Sequence, residues 1–230
     1  MSEERVQGYW PEILVEEIRT FLTKGLPDCD EVPNAFVLRS NIAYNMQYLM
    51  MLNERYKERN HSVIYSLIEK NFVVVSCGIM EAILYYIVKS KKLETYKKWE
   101  EISKHDCNGI KGLADNNKAT LIIYSKLLEP TMEPLTFDRL AKIAARKNLI
   151  KNFDMHKELS YLRKLRNKVH LQIAANWEEN DYRQFSGRHI NAAKAILYDI
   201  FSSELFSPKE KHLKVISFLK IQDRPTLEEI

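Results

Sequence analysis

Glycine is scarce in this chain, with six residues in 230. No glycine-rich loop is present to cradle a phosphate, and neither a dinucleotide-binding nor a P-loop pattern is found. The same scarcity argues against an all-β fold turning through many tight hairpins. Cysteine is equally sparse. Cys29, Cys77 and Cys107 are odd in number and widely spaced, and they form neither a CxxC pair nor a zinc pattern. That usage fits a reducing, cytoplasmic compartment. The first residues, MSEERVQGYWPEI, are acidic and polar, unlike a signal peptide. Internal repeats and low-complexity stretches are absent as well.

Long apolar runs are also rare. One segment, FVVVSCGIMEAILYYIV (72 to 88), reaches the lower limit of a membrane-spanning length. Glu81 lies at its middle, where a charge is costly in lipid. The run therefore reads as the buried central helix of a soluble bundle, with no membrane partner. An unpaired buried carboxylate is costly, so Glu81 is expected to face a cation, with Arg163 and Arg166 as named candidates and His170, through water, as a further one.

What is present is the composition of a globular protein: 45% hydrophobic and 29% charged residues, with a net charge of +4. The length suits one domain, or one domain with extensions. The charge is unevenly spread. Residues 139 to 170 hold ten Lys or Arg against only Asp154 and Glu158. A local basic surplus on a near-neutral chain points to a polyanionic ligand. Clustering of charge alone is better explained by two solvated helix faces.

Helical periodicity dominates. Pro11 suits a first helical position, followed by Ile13, Leu14, Ile18, Phe21 and Leu22 up to Gly25. Residues 26 to 38 are turn-rich. A second helix is predicted from about 39 to 59, with Ile42, Met46, Leu49, Met50 and Tyr56 on one face. Ser62 can cap a long helix reaching Ser90. Residues 91 to 118 read as a short helix and a loop, and 119 to 130 is ambiguous between strand and helix end. Thr136 is a natural N-cap, with Leu135 and Leu140 placed as a hydrophobic staple. Asp154 caps a helix running to about Ala175, 176 to 187 is a loop, and a last helix spans about 188 to 204. The expected architecture is mainly α: a bundle of five or more helices, with room for a small β element near 119–135. The predicted domains are an N-terminal helix and turn-rich segment (1–38), the bundle (39–206, with an insertion at about 91–135) and a C-terminal tail (207–230) that the pattern does not place.

The chemistry concentrates in LRKLRNKVHLQ, residues 162 to 172, which follows Tyr161. With Arg163 at zero on a helix turning about 100° per residue, Arg166 falls at about 300°, Asn167 at about 40° and His170 at about 340°. Leu162, Leu165, Val169 and Ile173 fall at about 200° to 280°. The polar stripe therefore borders the buried stripe. Two guanidiniums can grip a phosphodiester through their forked geometry. An imidazole on the same face can exchange a proton near neutral pH, and the neighbouring Arg charges favour its neutral, basic form. Asn167 can orient either partner. On RNA, a base beside the 2′-hydroxyl and cations on the phosphate suffice for cleavage without metal or cofactor. These residue types are also common on an exposed helix face, and the arithmetic alone favours that plainer reading.

The stretch LRKLRNKVHLQ resembles the signature of HEPN domains, small helical bundles found in toxin, defence and RNA-processing proteins. The signature is an Arg, a polar residue, a short spacer and a His, late in the bundle. Arg163 to His170 matches the longer spacing. Arg166–Asn167 supplies the Arg–polar pair, one residue short of the common form before His170. CGIMEAILYYIV is similar to the second bundle helix of such domains. FDRLAKIAARKNLI, the motif helix and HINAAKAILYDIF follow in the familiar order, over roughly residues 40 to 205. The resemblance implies a metal-independent endoribonuclease, acting as a homodimer with the motifs of both chains in one cleft, in a toxin or defence system with an antitoxin or other partner protein. Arg163, Arg166, Asn167 and His170 would be catalytic, Glu81 supporting, and Lys164 and Lys168 would bind RNA. The alternative it implies is a non-catalytic module that binds RNA or nucleotides, or pairs proteins.

Other groupings carry less. His105, Asp106, Cys107 and Asn108 are adjacent, a poor arrangement for ligating one metal. His156 belongs to a helix start. Tyr85, Tyr86 and Trp99 read as core or interface, and Cys77 as inert.

Overall fold

A computed structural model describes residues 11–107, 119–150, 153–168 and 184–225, with only the backbone for 153–156. The fold is mainly α. Among the described residues there are seven helices and one two-stranded antiparallel sheet. They divide into two compact units. One is helical and takes the chain up to Lys92 and from Thr136 onward; the other is the sheet, within Leu93–Leu135.

Helix α1, Val15–Gly25, begins later than Pro11. The acids of its first turn set the start, since the Glu17 carboxylate accepts the Leu14 N–H at 3.2 Å. Leu14 is thereby left outside the buried face and is 53% exposed, whereas Ile18, Phe21 and Leu22 are buried. Helix α2, Ala35–Lys57, starts earlier than expected. Arg39 is the reason: it is buried rather than a surface starter. Its guanidinium donates to the Leu26 carbonyl at 2.7 Å and to Asp28 at 3.0 Å, stapling the turn-rich segment onto α2.

Helix α3, Ser62–Ser90, is capped by His61 rather than Ser62; Nδ1 of His61 accepts the Val63 N–H at 3.4 Å. It is long and apolar enough to cross a membrane by length and composition. Yet 61% of its most apolar window is buried in the helical unit, where it packs on four other helices. Phe72, Val73, Cys77, Met80, Ile83, Leu84 and Ile87 supply that core. Helix α4, Phe137–Arg146, starts on the expected Thr136 cap, whose hydroxyl accepts the Arg139 N–H at 3.4 Å. Helix α5 is Phe153–Asn167 and α6 is Gly187–Ser202. The expected Asp154 cap and the end of α5 near Ala175 lie outside the described side chains and residues.

The tail is not an appendage. It forms α7, Glu210–Ile216, and a single 3₁₀ turn, Ser217–Leu219, and it buries Val215, Ile216 and Leu219. Phe21, Phe201 and Phe206 cluster with ring centroids 5.1 to 5.8 Å apart, joining α1, α6 and the segment before α7. Each such pair adds about 0.5–1.5 kcal/mol beyond burial.

The sheet unit corrects the reading of 91 to 118 as a short helix and loop. Strand β1, Tyr96–Cys107, pairs antiparallel with β2, Ala119–Met132, in a register that sets Trp99 opposite Lys126 and Cys107 opposite Ala119. The register shifts between Lys97 and Trp99 and between Glu101 and Ser103. Strand β1 has a mixed, lysine-rich composition with weak local preference. Pairing with the Leu121–Tyr124 run decides its state, as strand preference depends on the neighbouring strand.

Candidate functional site

Helix α5 presents its stripe as the angular arithmetic required, over its described length. Leu159, Leu162 and Leu165 are buried, while Lys164, Asn167 and Lys168 are exposed. Arg163 and Arg166 lie between, with side chains 17% and 35% exposed. His170 lies outside the described residues, as do Val169 and Ile173.

Both guanidiniums have carboxylate partners from other helices. Nη2 of Arg163 is 2.9 Å from Asp138 in the first turn of α4, and Nη2 of Arg166 is 3.4 Å from Glu81 on α3. The expected cation for Glu81 is thus Arg166. Glu81 itself is not deeply buried: α3 turns it to the margin of the core, 29% exposed. Asp138 also accepts Lys142 at 2.7 Å. That hydrogen bond, helped by the Arg163 charge, holds the Asp138 carboxyl below the usual carboxylate range.

Glu81, Thr136, Phe137, Asp138, Arg163, Arg166 and Asn167 line a cavity of about 260 Å³. Three helices and the α4 cap therefore converge on one small polar hollow. The Nε of Arg163 is buried without a hydrogen-bond partner. Such a donor costs about 1–3 kcal/mol when left unmet. Beneath the site, burial pushes the Cys77 thiol up to about 12 despite the nearby Arg166 charge, so it is no nucleophile at neutral pH.

Two arrangements holding α5 escaped the sequence. Asp138 was legible only as an acid behind a helix cap. Glu158, counted above among the acids of a basic surface, is buried; Arg224 donates to it through Nε at 3.2 Å and Nη2 at 2.6 Å, and to Asp199 at 2.6 Å. Nothing in the local pattern marks Arg224. On another side of α5, Tyr161 stacks on His189 with centroids 5.8 Å apart, its hydroxyl 3.2 Å from Nε2. The Ser186 N–H donates to Nδ1 at 3.0 Å, which leaves Nε2 to carry the proton and donate to Tyr161.

The basic surplus of 139 to 170 is therefore partly neutralised by acids from outside that window, Asp138 and Glu81. Of the lesser groupings, His105, Asp106 and Cys107 run along β1, and Asp106 accepts the Thr120 hydroxyl at 3.0 Å. Tyr86 is buried and donates to the Pro27 carbonyl at 2.5 Å, whereas Tyr85 and Trp99 are exposed. Asn108 and the His156 side chain are outside what is described. Among the described residues no group of three or more His, Cys, Asp or Glu is placed to hold a metal ion.

Compared with family models, curated proteins and solved structures, the chain finds no match.

Proposed function

We propose that this chain is a metal-independent endoribonuclease of the HEPN type. The observation that carries the reading is the pair Arg163 and Arg166 on one cavity wall, with the Arg163 Nε still lacking an acceptor. A phosphodiester oxygen is an acceptor of the right charge for it, and a guanidinium offers five donors, more than one carboxylate engages. His170, one turn beyond Arg166 in sequence, removes the 2′-hydroxyl proton. Arg163 and Arg166 stabilise the charge building on phosphorus-bound oxygens, Asn167 orients the phosphate, and Lys164 and Lys168 add salt-sensitive RNA affinity. The products are a 2′,3′-cyclic phosphate and a 5′-hydroxyl, and DNA is not cut. Two copies meeting near the stripe would bring a second His170, giving the acid as well as the base. A toxin or defence role, held in check by a partner protein, belongs to the same reading.

One observation favours a second reading. Both guanidiniums are already engaged by carboxylates, as they would be in a purely structural tie between α5, α4 and α3. On that reading the module binds RNA, nucleotides or a second protein without cleaving. Incubation of purified protein with single-stranded RNA in excess EDTA separates the two. Cleavage lost in His170→Ala, with RNA affinity nearly unchanged, supports the enzyme. Binding without cleavage, cleavage that persists in His170→Ala, or a divalent-metal requirement supports replacing it.

A further inference from the structure

Strand β1 reads Tyr96-Lys97-Lys98-Trp99-Glu100-Glu101-Ile102. All seven residues are exposed; Tyr96 and Trp99 are each 53% exposed and Ile102 64%. No residue of β1 or β2 is buried. No ion pair joins Lys97, Lys98, Glu100 or Glu101 to any described residue. Among the described residues the sheet has two strands, so β1 also has one edge of backbone donors and acceptors that β2 does not pair. A two-stranded hairpin is marginal alone, and an open edge carrying apolar side chains is a template for another strand.

The order of charges says which strand fits. Laid antiparallel against a copy of itself about a two-fold axis at Trp99, β1 sets Lys98 opposite Glu100 and Lys97 opposite Glu101, each twice. Trp99 then meets Trp99 of the second copy, and the regular pairing ends before Ile102, where β1 bulges. Directly opposed residues on antiparallel strands share a face, so each of these pairs can close. A parallel pairing would put Lys on Lys and Glu on Glu, a destabilising arrangement. We propose that β1 is a self-recognition strand, through which two copies of this chain join their hairpins into one four-stranded antiparallel sheet. Exposed charge pairs are individually weak; here they select orientation and partner, while backbone hydrogen bonds and the Trp99 pair supply the attraction. This inference rests on the hairpin alone and stands or falls independently of RNA cleavage.

Sedimentation of the full chain at micromolar concentration tests it through two charge-reversed variants. One carries Lys97→Glu with Lys98→Glu, the other Glu100→Lys with Glu101→Lys. All four positions are exposed, so neither change touches the core. Wild type is expected to associate through β1, in addition to any pairing at the α5 stripe, which both variants retain. Each variant alone opposes like charges across the axis and should dimerise at least about tenfold more weakly, because symmetry repeats every lost pair. An equimolar mixture of the two restores opposite signs at every position and should return a heterodimer of near wild-type affinity. A monomeric wild type overturns the proposal. Variants that associate as strongly as wild type, or a mixture that does not regain the association each variant has lost, overturn it equally.

Discussion

Two features of Arg163 can be separated by substitution. Its Nη2 engages Asp138, while its Nε is buried and unmet. If that donor is reserved for a transition-state oxygen, Arg163→Ala should lower the cleavage rate by about 100-fold and RNA affinity far less. Arg163→Lys retains the charge but not the fork, and should recover affinity without rate. Single-turnover kinetics beside equilibrium binding check both. Glu69 offers a second residue-scale test, in pH. Burial raises its carboxyl pKa, against hydrogen bonds from the Tyr56 hydroxyl at 3.1 Å and from the Gly187 N–H. A carboxyl whose folded pKa lies above its unfolded value costs the fold nothing below the unfolded value, and it subtracts stability as pH rises through the folded one. Glu69→Gln keeps an acceptor for Tyr56 and removes the charge. Its melting temperature should exceed that of wild type at pH 7, and the gap should close by about pH 4; a gap independent of pH would contradict this.

Elements were legible where one helix face carried the information. The α3, α4 and α6 spans follow closely from apolar spacing, with Thr136 capping α4 as expected, and the described part of the α5 stripe falls where a 100° step puts it. Legibility ended where a distant partner decided the outcome. Strand β1 needs β2, the early start of α2 needs Arg39 folded back on Leu26, and Glu158 needs a residue 66 positions later. The site shows the same division. Arg163, Arg166 and Glu81 could be nominated from one helix each, but Asp138 and the cavity exist only once α3, α4 and α5 have met. The Arg224 contact yields the prediction at this scale. Arg224→Ala would leave the Glu158 carboxylate buried without a counter-charge, at a cost of about 3 kcal/mol. Denaturant unfolding should report that loss, and Glu158→Gln in the same background should recover much of it. An Arg224→Ala variant as stable as wild type would mean that the tail is not fastened by this contact.

For the whole molecule, the two units differ in how they are held. Every buried side chain among the described residues belongs to the helical unit. The base of the hairpin is narrow, because the Glu133 N–H donates to the Thr95 carbonyl at 2.9 Å. Replacing the segment between them with a short Gly/Ser turn should therefore leave helical circular dichroism and cooperative unfolding intact. Loss of the cooperative transition would show that the helical unit depends on the sheet.

The Arg224 contact also bears on the order in which the helical unit settles. During synthesis Glu158 emerges first, and its counter-charge follows 66 residues later. At about 5–20 residues per second, that is a wait of roughly 3–13 s. Through that interval the helix carrying Arg163 and Arg166 holds a carboxylate it cannot bury cheaply, so its final seat is deferred until the chain has been translated past residue 224. A nascent polypeptide still threading out of the ribosome would accordingly lack a settled arginine pair until residue 224 has emerged to meet Glu158.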